Sequence, residues 1–309
     1  MTPASQPQVR EELGSMASHQ IADTATTVCI ACSSVDKYVV FREFDIPVLR
    51  CRSCGHVNSS YINDQHYDQY FAHQITDDEV FWWDQAHREM YLTFGNKFLR
   101  NKAGNLLDIG AGLGYFVRFA LQYPGWNATG YEISTPAVEY ARNVLGLKER
   151  MFAGAVEDSG FSPDYFDLIT LWDVIEHIQN PDILLQYVFS ILKPGGSLFL
   201  ATPNAPIQIA KATVKARVVG MREGTQFLDA KDHVNLYTPE SLRLVLHRVG
   251  FERVTYMHIR PIQSVSGSRN PLLKTVKNAW YMAAKVVGAM SRETINLNNS
   301  LFAMATKRG

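Results

Sequence analysis

An α/β fold, a doubly wound and mainly parallel sheet preceded by a small four-cysteine ribbon, is predicted by three features of the sequence. From residue 105 onward, short apolar strands alternate with amphipathic segments of helical length, the signature of βαβ units covered on both faces. All four cysteines form one array, Cys29-x2-Cys32-x18-Cys51-x2-Cys54. A strand read from "NLLDIG" passes Asp108 and breaks into Gly110, Gly112 and Gly114, a turn that lets a ligand approach the backbone closely.

The elements follow in order. Residues 1–25 are polar, lack an apolar run and read as a flexible tail without a secretory signal. Residues 26–60 form the ribbon: each C-x-x-C pair aims two thiolates at one tetrahedral ion, and "YVVFREFDIPVLR" is strand material that brings the pairs together. Four thiolates leave no open position, so the expected zinc is structural. In a chain with no export signal, two disulfides are the weaker alternative. His56 could replace one thiolate, but as a lone neighbour it is expected to stand beside the ion as a bystander. Residues 61–100 are rich in aromatics and become helical from Asp78, with Phe81, Met90, Phe94 and Phe98 on one face. They read as core filler and as a helical lid.

The domain at 101–309 continues with the strand "NATGYEI", the helix "TPAVEYARNVLG" with Pro136 early in it, the strand "FDLITLWD", the helix "PDILLQYVFSIL" and the strand "GSLFLATP". A helix follows in "TPESLRLVLHRVG", with Thr238 as N-cap, then the strands "FERVTYMHI" and "SLFAMATKR". Insertions are expected near 205–235 and 262–296. Within the second, residues 271–290 place Leu272, Leu273, Val276, Ala279, Trp280, Ala283, Val287 and Met290 on one helical stripe, with Lys274, Lys277 and Lys285 elsewhere. Such a stripe more often packs on its own protein. Peripheral contact with an anionic membrane is the alternative.

Lys plus Arg equal Asp plus Glu at 30 each in 309 residues, so no overall field draws the protein to a polyanion and no nucleic-acid partner is expected. No stretch approaches the ~20 apolar residues of a membrane span. The expected location is cytoplasmic.

Three spaced glycines alone do not choose between a dinucleotide and a nucleoside without phosphates, and Glu132, the acid at the end of "ATGYEI", fits both. The later motifs "FDLITLWDVIEHIQNP", "LKPGGSLFLATPN" and "HVNLYTPESLRLVLHRVGF" decide. With them, residues 103–309 resemble the class I S-adenosylmethionine-dependent methyltransferases, in the small-molecule branch that contains ubiquinone-biosynthesis-like enzymes. The resemblance implies a Rossmann-like sheet of seven strands and S-adenosylmethionine as cofactor. It implies close backbone approach at Gly110, Gly112 and Gly114, Asp108 beneath the cofactor's amino group, and Glu132 on both ribose hydroxyls. Adenine would meet Val156 and Glu157, Trp172 and Asp173 would flank the sulfonium, and Ala111, Tyr115 and Ile133 complete the cofactor-binding set. Ala155 departs from the Asp, Ser or Thr of many relatives.

Methyl transfer needs alignment of donor and acceptor, and an oxygen acceptor needs a base near neutrality. His177 in "DVIEHI" and His233 in "KDHVNLYT" are the candidates, each with a loop-holding role as the alternative; His73 is a third. The expected activity is methylation of a small molecule on oxygen, in a natural-product or cell-surface sugar pathway. The alternatives are C- or N-methylation of a sugar nucleotide, methylation of RNA or protein with the ribbon as reader, a non-catalytic scaffold and an NAD-dependent enzyme. The absence of an "NPPY"-like tetrapeptide speaks against nucleobase methylation.

Overall fold

The computed structural model describes residues 28–62, 67–222, 224–260, 271–291 and 295–309; the tail expected at 1–25 lies outside them. The elements run β1 (Lys37–Glu43), β2 (Ile46–Cys51), β3 (Val57–Ser59), α1 (Asp77–Phe81), a π-helical turn (Trp82–Ala86), α2 (Arg88–Phe98), β4 (Gly104–Ile109), α3 (Tyr115–Ala120), β5 (Trp126–Glu132), α4 (Thr135–Asn143) and β6 (Met151–Ala153). They continue with β7 (Phe166–Trp172), α5 (Asp182–Ile191), β8 (Leu192–Pro203), α6 (Ala205–Val219), β9 (Asn235–Leu236), α7 (Pro239–Arg248), β10 (Arg253–Met257), α8 (Pro271–Met290) and β11 (Ser300–Thr306).

The seven strands of the Rossmann-like sheet are ordered β10-β11-β8-β7-β4-β5-β6. The pairs β4–β5, β5–β6 and β7–β8 are parallel, whereas β11 runs antiparallel to both β8 and β10. Strand β6 has only three residues, too few for a periodic signal, and the sequence offered no strand there.

The chain divides into two compact units. One comprises the described residues within Asp64–Ser159 and His258–Met290. Strand β4 is apolar at its centre, with Leu106 and Leu107 fully buried, as expected for a strand covered on both faces, whereas β5 alternates buried with more open positions. Around the glycine turn, Phe71, Leu113, Tyr115 and Ala137 form a core cluster, with Ile75, Val80, Trp83 and Tyr140 packed against it. Of the aromatic residues at 61–100, Phe71, Tyr91 and Phe94 are core, whereas Tyr70 and Phe81 are exposed. Thr76 and Glu79 close a reciprocal capping box that starts α1. The helix expected from Asp78 is interrupted by the π turn at Trp82–Ala86 before α2 resumes; such a turn absorbs one extra residue.

The second unit comprises the described residues within His19–Asn63, Gly160–Met257 and Ser291–Gly309. Thr238 caps α7 as the sequence predicts, with Ser241 as its reciprocal partner. The ribbon does not close on itself: its sheet is ordered β1-β2-β3-β9, so β9 of the 205–235 insertion supplies the fourth strand. Phe41, Ile46, Val48 and Val57 of the ribbon form one core with Ala205, Ala212, Leu228, Ala230 and Leu236. Glu43, at the end of β1, is buried and accepts the backbone N–H groups of Phe227, Leu228 and Ala230 at 2.9–3.3 Å. Ribbon and insertion are thus one packed body.

The 271–290 helix forms, but internal packing of its stripe does not hold among the described side chains. Val276, Trp280 and Met290 are exposed at 58%, 52% and 82%, while Ala284 and Gly288 are the buried positions. Small residues let a helix backbone approach its support closely, and that turns the large apolar side chains outward. No helix among the described residues is long and apolar enough to cross a membrane.

Candidate functional site

In the first unit, β4 delivers the chain into the turn at 110–114, where Gly110, Gly112 and Gly114 have φ of 68°, 51° and 81°, the left-handed region that only glycine enters without strain. Their roles differ. A Cβ on Gly112 would meet nothing within 4 Å, whereas one on Gly114 would lie 2.9 Å from the Cβ of Ala141 and 3.0 Å from Leu147. Gly112 borders open space, and Gly114 lets α3 begin tight against its own core. The sequence could not separate the two.

Glu132 ends β5 beside this turn. Its Oε2 accepts the N–H of Gly112 at 2.8 Å and its Oε1 that of Ser134 at 2.9 Å. Burial pushes the carboxyl up, opposed by the N–H groups of Ser134, Gly112 and Ile133. Each oxygen keeps a further lone pair, so the carboxylate is anchored and can still accept. Ile133, the next residue, is 42% exposed on the same strand end. Asp108 is buried on β4, and Ala111 lies in the turn itself. The Tyr115 hydroxyl pairs with that of Tyr140 at 2.8 Å, and the Arg118 guanidinium lies over the Tyr115 ring. The Val156 side chain is buried, whereas Glu157 is half-buried, so Val156 offers a ligand its backbone.

His73 is committed elsewhere: its Nε2 lies 2.7 Å from Glu79 Oε1, the acid that also caps α1.

In the second unit, Trp172 ends β7 against the ring of Phe199, centroids 4.6 Å apart. Asp173 follows with φ 51°, its N–H donating to the Ala201 carbonyl. This is a left-handed residue without glycine's freedom, a strained conformation of the kind found at functional sites. Burial pushes its carboxyl up to about 6, against the opposing pull of His233. Glu176 is fully buried and raised well above the usual carboxylate range, first by burial and then by Asp173. Its Oε2 accepts from the Thr202 hydroxyl at 2.9 Å, while its Oε1 has no hydrogen-bond partner. Burial and the neighbouring Asp173 thus both favour its protonated form.

The His177 and His233 rings lie 4.9 Å apart. His177 Nδ1 donates to the Asp232 carbonyl and His233 Nδ1 to the Leu228 carbonyl, each at 3.1 Å. A carbonyl accepts only, so Nδ1 of each ring carries the proton and Nε2 is the basic nitrogen. Glu176, His177 and His233 bring ligand-type atoms within 4.8 Å of one another. These residue types can pass a proton as well as hold an ion. Asn235 ties the group to the ribbon: its amide donates to the Ile178 carbonyl and its oxygen lies 3.1 Å from His56 Nε2.

The sulfurs of Cys29, Cys32, Cys51 and Cys54 all lie within 4.8 Å of one another, with Cys29–Cys54 and Cys32–Cys51 both at 3.6 Å. A tetrahedron with Zn–S bonds of ~2.3 Å has edges near ~3.8 Å, so the donor set fits a small zinc-binding motif. His56 is no part of it. Buried and held at about 4 by burial, it bridges Asn235 and Ser241. Glu176 and Glu43 escaped the sequence reading. Glu43 stands beside Arg42 and Asp45, and Glu176 beside His177, settings shared with many surface acids.

A family model described as a methyltransferase domain matches residues 82–256. The chain belongs to that family. Among curated proteins it is 28% identical over 151 residues to a ubiquinone biosynthesis O-methyltransferase of Xanthomonas euvesicatoria, covering 45% of this chain and 63% of that protein. It is 26% identical over 186 residues to the corresponding protein of Actinobacillus pleuropneumoniae, covering 52% and 79%. The chain thus spans less than two thirds of the first of these relatives. Among solved structures, phosphoethanolamine N-methyltransferase 2 of Haemonchus contortus, in complex with phosphomonomethylethanolamine and S-adenosylhomocysteine, aligns with a TM-score of 0.53. At 18% identity over 82% of this chain and 62% of that one, it shares the fold. No ubiquinone-specific assignment follows from these matches.

Proposed function

We propose that the protein transfers a methyl group from S-adenosylmethionine to a hydroxyl of a small molecule, with a structural zinc ion held by Cys29, Cys32, Cys51 and Cys54. The observation that carries the reading is the pairing of an open glycine turn with an anchored acid at the next strand end. Gly112 leaves room for a nucleoside where any side chain would intrude, and Glu132 presents a carboxylate to two vicinal hydroxyls. When bound, S-adenosylmethionine supplies a methyl group on a sulfonium.

The chain's own residues do the rest. Asp108 offers negative charge to the donor's ammonium, Ile133 an apolar surface to adenine, and Val156 and Glu157 polar groups to its edge. Ala111 and Tyr115 complete the cofactor-binding set at the glycine turn, with Trp172 and Asp173 assigned to the sulfonium. His233 or His177 accepts the hydroxyl proton at Nε2, its ring fixed by the carbonyl at Nδ1. The curated relatives support oxygen as the acceptor atom, since their names are those of O-methyltransferases.

Calorimetric titration tests the donor half. S-adenosylmethionine is expected to bind and NADH not to bind, and Gly112→Asp is expected to abolish the heat. Binding of NADH in place of the methyl donor would overturn the reading. Incubation with labelled donor and a metabolite extract then identifies the acceptor by the gain of one CH2.

A further inference from the structure

Helix α8 carries its apolar face outward. At 3.6 residues per turn, Met282, Val286, Ala279, Met290, Ala283, Val276 and Trp280 share an arc of roughly 160°, and every one of them is exposed. The segment contains Lys274, Lys277 and Lys285 and no Asp or Glu. Lys277 and Lys285 lie on the same side of the wheel as the buried Ala284 and Gly288, both exposed, where long side chains can reach past the helix to its surroundings. The helix of 20 residues is about 30 Å long. An outward apolar face flanked by cations, with an amphipathic aromatic within it, is what an interfacial helix requires.

We propose that α8 docks the protein onto the surface of an anionic lipid bilayer, lying in the interface plane with Trp280, Val286 and Met290 at acyl-chain level. Charge decides the occupant. A second copy related by a two-fold axis would set this patch against itself, bringing lysines together with no acid on the helix to answer them. Anionic headgroups complement the lysines, while the apolar arc takes the boundary of the hydrocarbon. The surface is independent of the methyl-transfer reading. It would bring the enzyme to acceptors that reside in a membrane.

The experiment is sedimentation of the full chain with extruded vesicles of phosphatidylcholine, alone or mixed with phosphatidylglycerol. Binding is expected to the mixed vesicles, at least tenfold stronger than to phosphatidylcholine alone, and to weaken with added salt. Val286→Glu with Met282→Glu should lower it tenfold or more. Each of Lys277→Gln and Lys285→Gln should lower it about fivefold, in keeping with the attraction of one surface cation to anionic lipid. These positions are exposed, so an unchanged melting temperature and donor binding confirm that the variants fold. Equal or absent binding to the two vesicle types, or retention of binding by the double glutamate variant, overturns the proposal. So does a concentration-dependent dimer in solution that Val286→Glu dissociates, which would assign the face to a second copy.

Discussion

The two units assemble their candidate functional groups by opposite means. In the first, the turn at 110–114 and Glu132 are joined by the Gly112 hydrogen bond, and Ser134 anchors the other carboxylate oxygen, all within some twenty residues of chain. In the second, His233 stands near His177 because a ribbon residue, Glu43, holds the 227–230 loop, and because Asn235 reaches the carbonyl of Ile178 and the ring of His56. One arrangement is local and carries its own geometry. The other depends on segments far apart in sequence, so it should fail with distant lesions that the first withstands.

The strongest test of that contrast is removal of the ribbon's ion. If zinc holds the four sulfurs, chelation or Cys51→Ser forfeits binding energy on the order of 10 kcal/mol. Atomic absorption should find one zinc per chain, and its removal should abolish turnover and the cooperative melt of the second unit. A melt unchanged by chelation would break the comparison.

Next comes acid. His56, held at about 4, and His87, held at about 4 by burial, are neutral in the folded protein and charge near ~6.5 when unfolded. Each therefore contributes stability that is complete above pH 6.5 and lost as pH falls towards 4, about 3 kcal/mol apiece. Asp173 and Glu176 act in the opposite sense, since a raised carboxyl contributes at low pH and loses its contribution as pH rises, for Asp173 between about 4 and 6. Urea unfolding at several pH values should show the acid slope roughly halved in His56→Asn, with the slope from His87 intact.

Glu43→Ala leaves the N–H groups of Phe227, Leu228 and Ala230 without their acceptor in a buried site. The expected cost is about 2–3 kcal/mol, with a fall in kcat as the Leu228 carbonyl that orients His233 shifts. Gly114→Ala should cost about 2 kcal/mol through its contact with Ala141 and its left-handed φ. Glu132→Gln should cost about 1–2 kcal/mol, because the amide nitrogen faces one of the two N–H groups the carboxylate accepted, and should weaken donor binding roughly tenfold, since an amide presents one acceptor where the carboxylate presents two. A stability loss in Glu132→Gln larger than that in Gly114→Ala would show the turn to be built around the acid.

The same contrast explains what could be read from the sequence. The alternation of strands and helices, the Thr238 cap and the cysteine array are periodic or spaced signals carried within a few dozen residues. The glycine turn belongs with them. Glu176 and Glu43 gave no such signal, because their significance lies in being buried by residues elsewhere in the chain. The outward face of α8 is not legible in the sequence for a related reason. A hydrophobic stripe reports that a helix has two faces, and only the small residues Ala284 and Gly288, pressed against the body, reveal which face is turned inward.

The fourth strand of the ribbon sheet carries a consequence for any attempt to trim the protein. Cutting away the cysteine array as if it were an appended module would strip β9 of its neighbour and uncover Leu228, Ala230 and Leu236. The remnant would display a bare strand edge beside a greasy hollow, the combination that leads proteins to aggregate.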